Sequence, residues 1–440
     1  MGRLGFILTA VLLVLFCGEI YPQKQWTLEQ CIEHAKENNL QVKQQLNAYE
    51  QASNNLVAAK LGYIPSVNAS MNHNISWGRS VNLNDLQIIE NKMSQSSSLN
   101  ISASVPIFEG MKKQNTVKSN IKLLEIAGVN IEKLKDDIMI SVTQAYLQVL
   151  LSIEMQKAAQ ESCASAKEQV DKCRVLVEAG SQPYSSLLEM EAQLANEKVQ
   201  KVSAENNYRS ALLQLAQLLD IKDTDSFQIK EPAIADSDLH MEKEDISTIY
   251  SNALSLPDIK GAELALENSK LQYKIQKGNA LPTISLSGGY GTYFSDSQDT
   301  PYFRQFNNNR NPSVGIGLSI PIFNGWRNNT AIRNARLSVK NAELDLRIAS
   351  QNLLKDIQQA YNEAVSCFEK YNAAKENLAA AKESFRYTME KFNAGSVSAT
   401  DYSVAKANLF KAESEFLQGK YQFIFQTKIL NYYKNIPVTL

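Results

Sequence analysis

The residues able to do chemistry are few and far apart. The three histidines, His34, His73 and His240, fall in different segments of a 440-residue chain. Beyond the N-terminal apolar run the cysteines are Cys31, Cys163, Cys173 and Cys367. They form no C-x-x-C pair and no four-ligand cluster at zinc-site spacing. Cys163 and Cys173 share one helical pattern, which separates them by about 15 Å, beyond the reach of a disulfide. No glycine-rich phosphate loop is present. Tyrosines are abundant but fall mostly at helix-packing positions. Catalysis is therefore not expected, and no cofactor or metal is implied.

The balance of charge excludes a second class. With 45 basic and 46 acidic residues the net charge is −1, so no whole-chain field draws nucleic acid or an anionic surface. The N-terminus supplies an address. Arg3 precedes an apolar run from Leu4 to Phe16, then Cys17-Gly18. This reads as a secretory signal over residues 1–23, because the apolar core is too short for a membrane span. Cys17 as a lipidated cysteine is the other reading, disfavoured by Phe16 where a small residue is expected. Past the signal no run of 18 consecutive apolar residues remains, so no transmembrane helix is expected.

The elements that must position any function come in duplicate. Val105-Pro106-Ile107-Phe108-Glu109-Gly110 returns as Ile320-Pro321-Ile322-Phe323-Asn324-Gly325, an offset of 215 residues. At that offset Tyr146 maps to Tyr361, and Ala179-Gly180 to Ala394-Gly395. The stretch Leu61–Pro65 corresponds to Gly278–Pro282, offset by 217. A period this long is a duplicated half and not a solenoid repeat. The predicted organisation is a first repeat over 24–219, a charged linker over 220–245 and a second repeat over 246–440.

Each half carries two segments of period-two alternation, the mark of strands with one apolar face. Val67, Ala69, Met71, Ile75 and Trp77 oppose Asn68, Ser70, Asn72, Asn74 and Ser76, with His73 alone on the apolar side. Leu99, Ile101, Ala103, Val105 and Ile107 oppose Asn100, Ser102 and Ser104. Ile284, Leu286, Gly288 and Tyr290 oppose Ser285, Ser287 and Gly289; Val314 to Ile322 alternates with Gly315, Gly317 and Ser319. Each run approaches the 9–11 residues of a tilted membrane strand. Trp77, Phe108, Tyr290 and Phe323 sit near strand ends, where outer-membrane barrels keep aromatic girdles. The polar stretches Gly78–Ser97 and Ser295–Pro312 are expected as loops. Four strands cannot close a barrel, since the smallest have eight, and open edges are not tolerated in lipid. Several chains must then pool their strands, as eight from two chains or twelve from three.

Between the strand pairs run long helical patterns. Gly110–Glu178 and Gly325–Ala394 are free of proline and carry apolar residues at coiled-coil spacing. Each would reach about 100 Å. Shorter helices are expected over Trp26–Gly62, Pro183–Leu219, Asp245–Gly278 and Ser398–Lys434. Gly180 and Gly395 suit the left-handed position that ends a helix.

Taken together, the chain resembles the TolC family of outer-membrane efflux proteins. The match is carried by Trp26-Thr27-Leu28-Glu29-Gln30-Cys31-Ile32-Glu33-His34-Ala35, the two Pro-Ile-Phe-x-Gly segments, the two Ala-Gly-Ser turns and the halves in register. The resemblance implies an α+β membrane protein: a homotrimer with four strands per chain in a 12-strand barrel, joined to a long periplasmic α-helical barrel. It implies an exit duct in the outer-membrane lipid, fed through a periplasmic adaptor protein by an inner-membrane pump of the RND, ABC or MFS type. It further implies adaptor docking at Gly180, Ser181, Gly395 and Ser396, and a periplasmic gate. Asp401 matches one family gate aspartate, whereas Val404 stands where a second is common. A ring of Asp401 carboxylates would attract cations at a constriction; the plainer role for Asp401 is a first-turn helix residue favoured by the macrodipole. Two other classes remain in view, a trimeric adhesin-like stalk and a periplasmic coiled-coil scaffold.

Overall fold

In the computed structural model the described residues are 25–81, 86–222 and 244–440, with 224, 227–232, 234, 236 and 239–241 between them. The signal segment 1–23 and Cys17 lie outside them. The described chain divides into two units. One gathers residues up to 44, 131–256 and 350–440; the other comprises 45–130 and 257–349.

The elements in order are β1 (Gln25–Trp26), α1 (Leu28–Asn38), α2 (Leu40–Leu61), β2 (Ser66–Val81), β3 (Ile88–Glu109), α3 (Lys112–Glu178) and α4 (Tyr184–Leu218). Then come β4 (Gln228–Ile229), α5 (Ile246–Ala253), α6 (Pro257–Gly278), β5 (Thr283–Ser295), α7 (Tyr302–Asn308), β6 (Asn311–Ser319), α8 (Arg327–Asn393) and α9 (Ala399–Tyr433). Helix lengths repeat: α3 and α8 have 67 residues each, α4 and α9 have 35, and α2 and α6 have 22.

In the first unit the core forms around the spacing Leu28, Cys31, Ile32, Ala35 on α1, all buried, which is one face of a helix. Thr27 starts that helix with a capping box, its hydroxyl accepting from the Gln30 amide at 3.3 Å. Leu28, Leu215 and Leu219 are fully buried, each worth about 1.5–3 kcal/mol. Tyr146 of α3 is equally buried and donates its hydroxyl to the Lys230 carbonyl at 2.6 Å. That bond ties the linker to the core, where β4 pairs in parallel with β1. Burial raises the Tyr146 pKa and pushes the Cys31 thiol up to about 12, so both are inert at neutral pH. Helix α3 does contain an 18-residue window of mean hydropathy 1.4, half of it buried. Its Val142, Tyr146, Val149 and Leu150 belong to this core.

The second unit is built on one antiparallel sheet in the order β2-β3-β5-β6. The first hairpin extends further than its alternation suggests, because the polar stretch expected as a loop continues pairing up to Val81 with Ile88. In the second hairpin the expected loop folds a short helix, α7. The expected single helix over 26–62 is two, broken at Asn39 (ψ 131°), whose side chain accepts from the Gln41 amide at 2.8 Å. Another break precedes Pro257, as proline disfavours helix in the residue before it. β6 stops at Ser319, so Ile320, Ile322 and Phe323 lie past the strand end.

Candidate functional site: a sheet face and two matched turns

The sheet register gathers the alternating residues into two opposed faces. Across the strands Ala69 lies opposite Ile101, Ile101 opposite Tyr290 and Tyr290 opposite Pro312. The neighbouring row is Val67, Ala103, Gly288 and Val314. Val105, Leu286 and Ile316 continue the apolar face, while Asn68, Ser102, Gly289 and Ser313 make a polar row between. The apolar side chains are open to their surroundings, with Trp77 at 74%, Ile316 at 74% and Val314 at 84% exposure. Such a surface far exceeds what a soluble monomer leaves uncovered. His73, the polar residue of the β2 alternation, is satisfied by its cross-strand neighbour Ser97, with Nδ1 to Oγ at 2.8 Å. Both outer strands, β2 and β6, have a single neighbour, and every residue of β6 is exposed.

Phe108 reaches the apolar face by an irregularity. The ladder pairs Pro106 with Ser285 and then Phe108 with Ile284, leaving Ile107 as an extra residue. This bulge flips the parity of the chain, so Phe108 joins the apolar row that alternation assigned to Ile107. The expected girdle residues do not share two levels. Phe108 and Phe323 lie at the end next to α3 and α8, Tyr290 six residues up β5, and Trp77 eight residues beyond Ala69, which is in the Tyr290 row.

The second candidate feature lies in the first unit, at the turns after α3 and α8. Gly180 has φ +71° and Gly395 φ +73°. The Gly180 amide donates to Val177 O and the Ser181 amide to Leu176 O, at 3.0 and 2.8 Å. The Gly395 amide donates to Phe392 O and the Ser396 amide to Lys391 O, at 3.0 and 2.9 Å. Both turns are Schellman motifs, for which glycine is the favoured residue. They rest on a shared buried cluster that includes Cys173, Leu187, Met190, Phe392 and Tyr402.

The two turns lead into unlike helix starts. Pro183 begins α4 without a side-chain cap, whereas Ser398 begins α9 with a full capping box. Asp401 Oδ2 accepts from the Ser398 amide and hydroxyl at 3.1 and 2.7 Å, and the Asp401 amide donates back to Ser398 Oγ at 3.1 Å. These bonds hold the Asp401 carboxyl below its ordinary value. The partner role of Ser398 is legible as Ser-x-x-Asp ahead of a helix, although the family resemblance singles out Asp401 alone. Glu189, at the first-half position matching Val404, accepts from Thr400 Oγ1 at 3.2 Å. A carboxylate thus bonds to the residue before Asp401, a contact that reading either half alone does not reveal. Among the described residues no group of histidine, cysteine or carboxylate side chains is placed to hold a metal.

This combination of a four-stranded sheet and long helices recurs in solved structures. CusC, whose crystal structures follow its transmembrane channel formation, superposes with a TM-score of 0.79 at 17% identity, over 95% of this chain and 96% of that one. The fold class is that of TolC-like channels. The outer membrane efflux protein family matches residues 31–220 and 249–426; the chain belongs to that family and to the outer membrane. It is similar to the outer membrane efflux protein BepC of Brucella suis, 22% identical over 70% of this chain and 63% of BepC. It is also similar to the alkaline protease secretion protein AprF of Pseudomonas aeruginosa, 24% identical over 45% of this chain and 40% of AprF. The chain thus matches between about two-fifths and just under two-thirds of the length of these relatives.

Proposed function

We propose that this protein is the outer-membrane exit duct of a tripartite efflux or type I secretion system. Substrates would pass from an inner-membrane pump of the RND, ABC or MFS class, through a periplasmic adaptor, to the exterior. The observation that carries the reading is the sheet with one exposed apolar face and two unpaired edges. In lipid its backbone groups must find partners, and copies of the same chain supply them. Three copies give twelve strands, within the range of bacterial barrels. The names of BepC and AprF, an efflux protein and a secretion protein, support the two arms of the proposal.

The architecture we infer is two repeats per chain around the 220–245 linker. Four pairs of positive-φ residues support it, each separated by 215: Gly110 and Gly325, Met111 and Trp326, Gly180 and Gly395, Asp220 and Asn435. The hairpins support it as well. Ser66 pairs with Ser104 and Thr283 with Ser319, the same register once the offsets of 217 and 215 are applied. Carrying the β3–β5 pairing over by those offsets predicts how β6 meets β2 of the next copy. Leu318 would face the partner subunit's Met71, and Ile316 the partner subunit's His73. Every apolar residue then remains on the apolar face.

Gly180, Ser181, Gly395 and Ser396 are the proposed adaptor contacts, and Asp401 the proposed gate residue. The test is single-channel conductance of detergent-purified protein in a planar bilayer. Long-lived steps support a duct. A trimeric, membrane-extracted protein that never conducts would favour a structural stalk.

A further inference from the structure

The geometry points to α7 as an interfacial anchor that seats the second hairpin in the outer boundary of the membrane, with Phe303 inserted among lipid. This inference rests on the proposal that the apolar sheet face meets lipid.

Helix α7 stands on that face. Thr292 and Phe294 share the parity of Leu286 and Tyr290 on β5, and both hold the helix: Thr292 Oγ1 donates to the Phe306 carbonyl at 2.6 Å, and the Phe294 ring lies 4.5 Å from that of Tyr302. Tyr302 stacks on Phe306 at 4.8 Å. Gln305 is buried and locks the connection, accepting from the Ser295 amide at 2.9 Å and donating to the Ser295 and Thr300 carbonyls at 2.9 and 2.7 Å. Tyr302 is thus held against the sheet with Phe306 stacked on it, while Phe303, edge-on to Tyr302 at 5.5 Å, remains 84% exposed. Burial within the chain does not explain an exposed phenylalanine on a helix held to the sheet by Thr292 and Gln305.

Its height along the strand does. Phe108 pairs with Ile284 at the lower end of the apolar face, and Phe294 lies ten residues further along β5. A tilted strand of 9–11 residues crosses the hydrocarbon layer. Helix α7 therefore sits one crossing above Phe108, on the lipid side, where amphipathic segments bury aromatic side chains at the headgroup boundary. The neighbouring Arg304 is exposed, on the helix that presents Phe303, so a charged group and an apolar ring lie together as an interface requires. Among its described residues the first hairpin carries no such helix: it continues as paired strand up to Val81 with Ile88.

Two single variants decide the matter, Phe303→Trp and Ile316→Trp, each reconstituted in phosphatidylcholine vesicles with and without acyl chains brominated near the headgroup. Subtracting the native emission isolates the added tryptophan. At position 316, opposite Leu286 and two residues up from the Ile284 row on the apolar face, quenching by brominated lipid reports whether the sheet meets lipid. At position 303 we expect at least twofold quenching by brominated lipid and little by aqueous iodide. If Trp at 316 is quenched by lipid but Trp at 303 only by iodide, the anchor is refuted and the barrel reading stands. If neither responds to brominated lipid, the barrel reading fails and takes the anchor with it.

Discussion

Gly110 and Gly278 meet backbone to backbone. A Cβ on Gly110 would lie 2.5 Å from the Gly278 carbonyl oxygen, and one on Gly278 would lie 2.6 Å from that of Gly110. This contact lets the end of β3 turn into α3 beside the end of α6. Gly325 holds the same turn in the second half, with φ +63° against +59° for Gly110, yet nothing lies within 4 Å of its would-be Cβ. A left-handed alanine costs about 1–2 kcal/mol at either site. Gly110→Ala adds a clash and should lower the melting temperature of the isolated chain further than Gly325→Ala. Gly325→Ala should instead reduce the trimer fraction in detergent, because the proposed repeat and trimer would place the end of the partner subunit's α2 against it. Equal trimer fractions for wild type and Gly325→Ala by analytical ultracentrifugation would count against that contact.

The transposed register makes a sharper demand. A chain carrying Leu318→Cys and Met71→Cys should form disulfide-linked multimers on mild oxidation, since the two positions face each other across the predicted seam. Val314→Cys with Met71→Cys, displaced by four residues or about 13 Å along the strand, should not. Crosslinking of the second pair but not the first, on a denaturing gel, would refute the register.

For the proposed gate, Asp401→Ala should leave assembly intact while raising basal conductance or weakening block by divalent cations. Identical currents with and without divalent cations, in mutant and wild type alike, would remove Asp401 from the gate. Glu189, three residues after Ser186 and bonded to Thr400, is the residue to change next.

Asp401 also has a structural part, and pH separates the two. Its folded pKa lies below the ordinary 3.8 because Ser398 donates to the carboxylate. The stability it contributes is therefore complete above the ordinary value and is lost as pH falls through the lower folded value. Ser398→Ala should bring the Asp401 pKa back toward 3.8 and cost about 1 kcal/mol through the lost cap. Carboxyl NMR titration of both proteins reads this directly, and an unmoved pKa would contradict the capping box as its cause.

The strands are legible where alternation is sharp. Val67 to Trp77 and Leu99 to Val105 show an apolar face, and their pairing agrees with it. The outer reach of the first hairpin is not, because its residues, Arg79 and Glu90 among them, carry no apolar period although they bond across the strands. Helix α7 is too short for a helical period to show, and its stability comes from Gln305 and the aromatic contacts to β5. The bulge at Ile107 leaves no signal in a run that alternates cleanly; Pro106, which lacks an amide to donate, is the available hint. The turns at Gly180 and Gly395 can be read because left-handed backbone restricts residue choice. Pairing of β1 with β4 cannot, since two-residue strands have no period.

The unlike starts of α4 and α9 set a counting rule for whatever docks on the helix turns. Gly180 and Gly395 fold the same backbone, so a ligand that reads only this shape finds two sites per chain and would find six around the proposed trimer. A ligand that needs the carboxylate held by Ser398 finds one per chain, because Pro183 starts the other helix and Ser186 takes the place of Asp401. Stoichiometry measured on the assembled complex thus reports which chemistry the partner recognises.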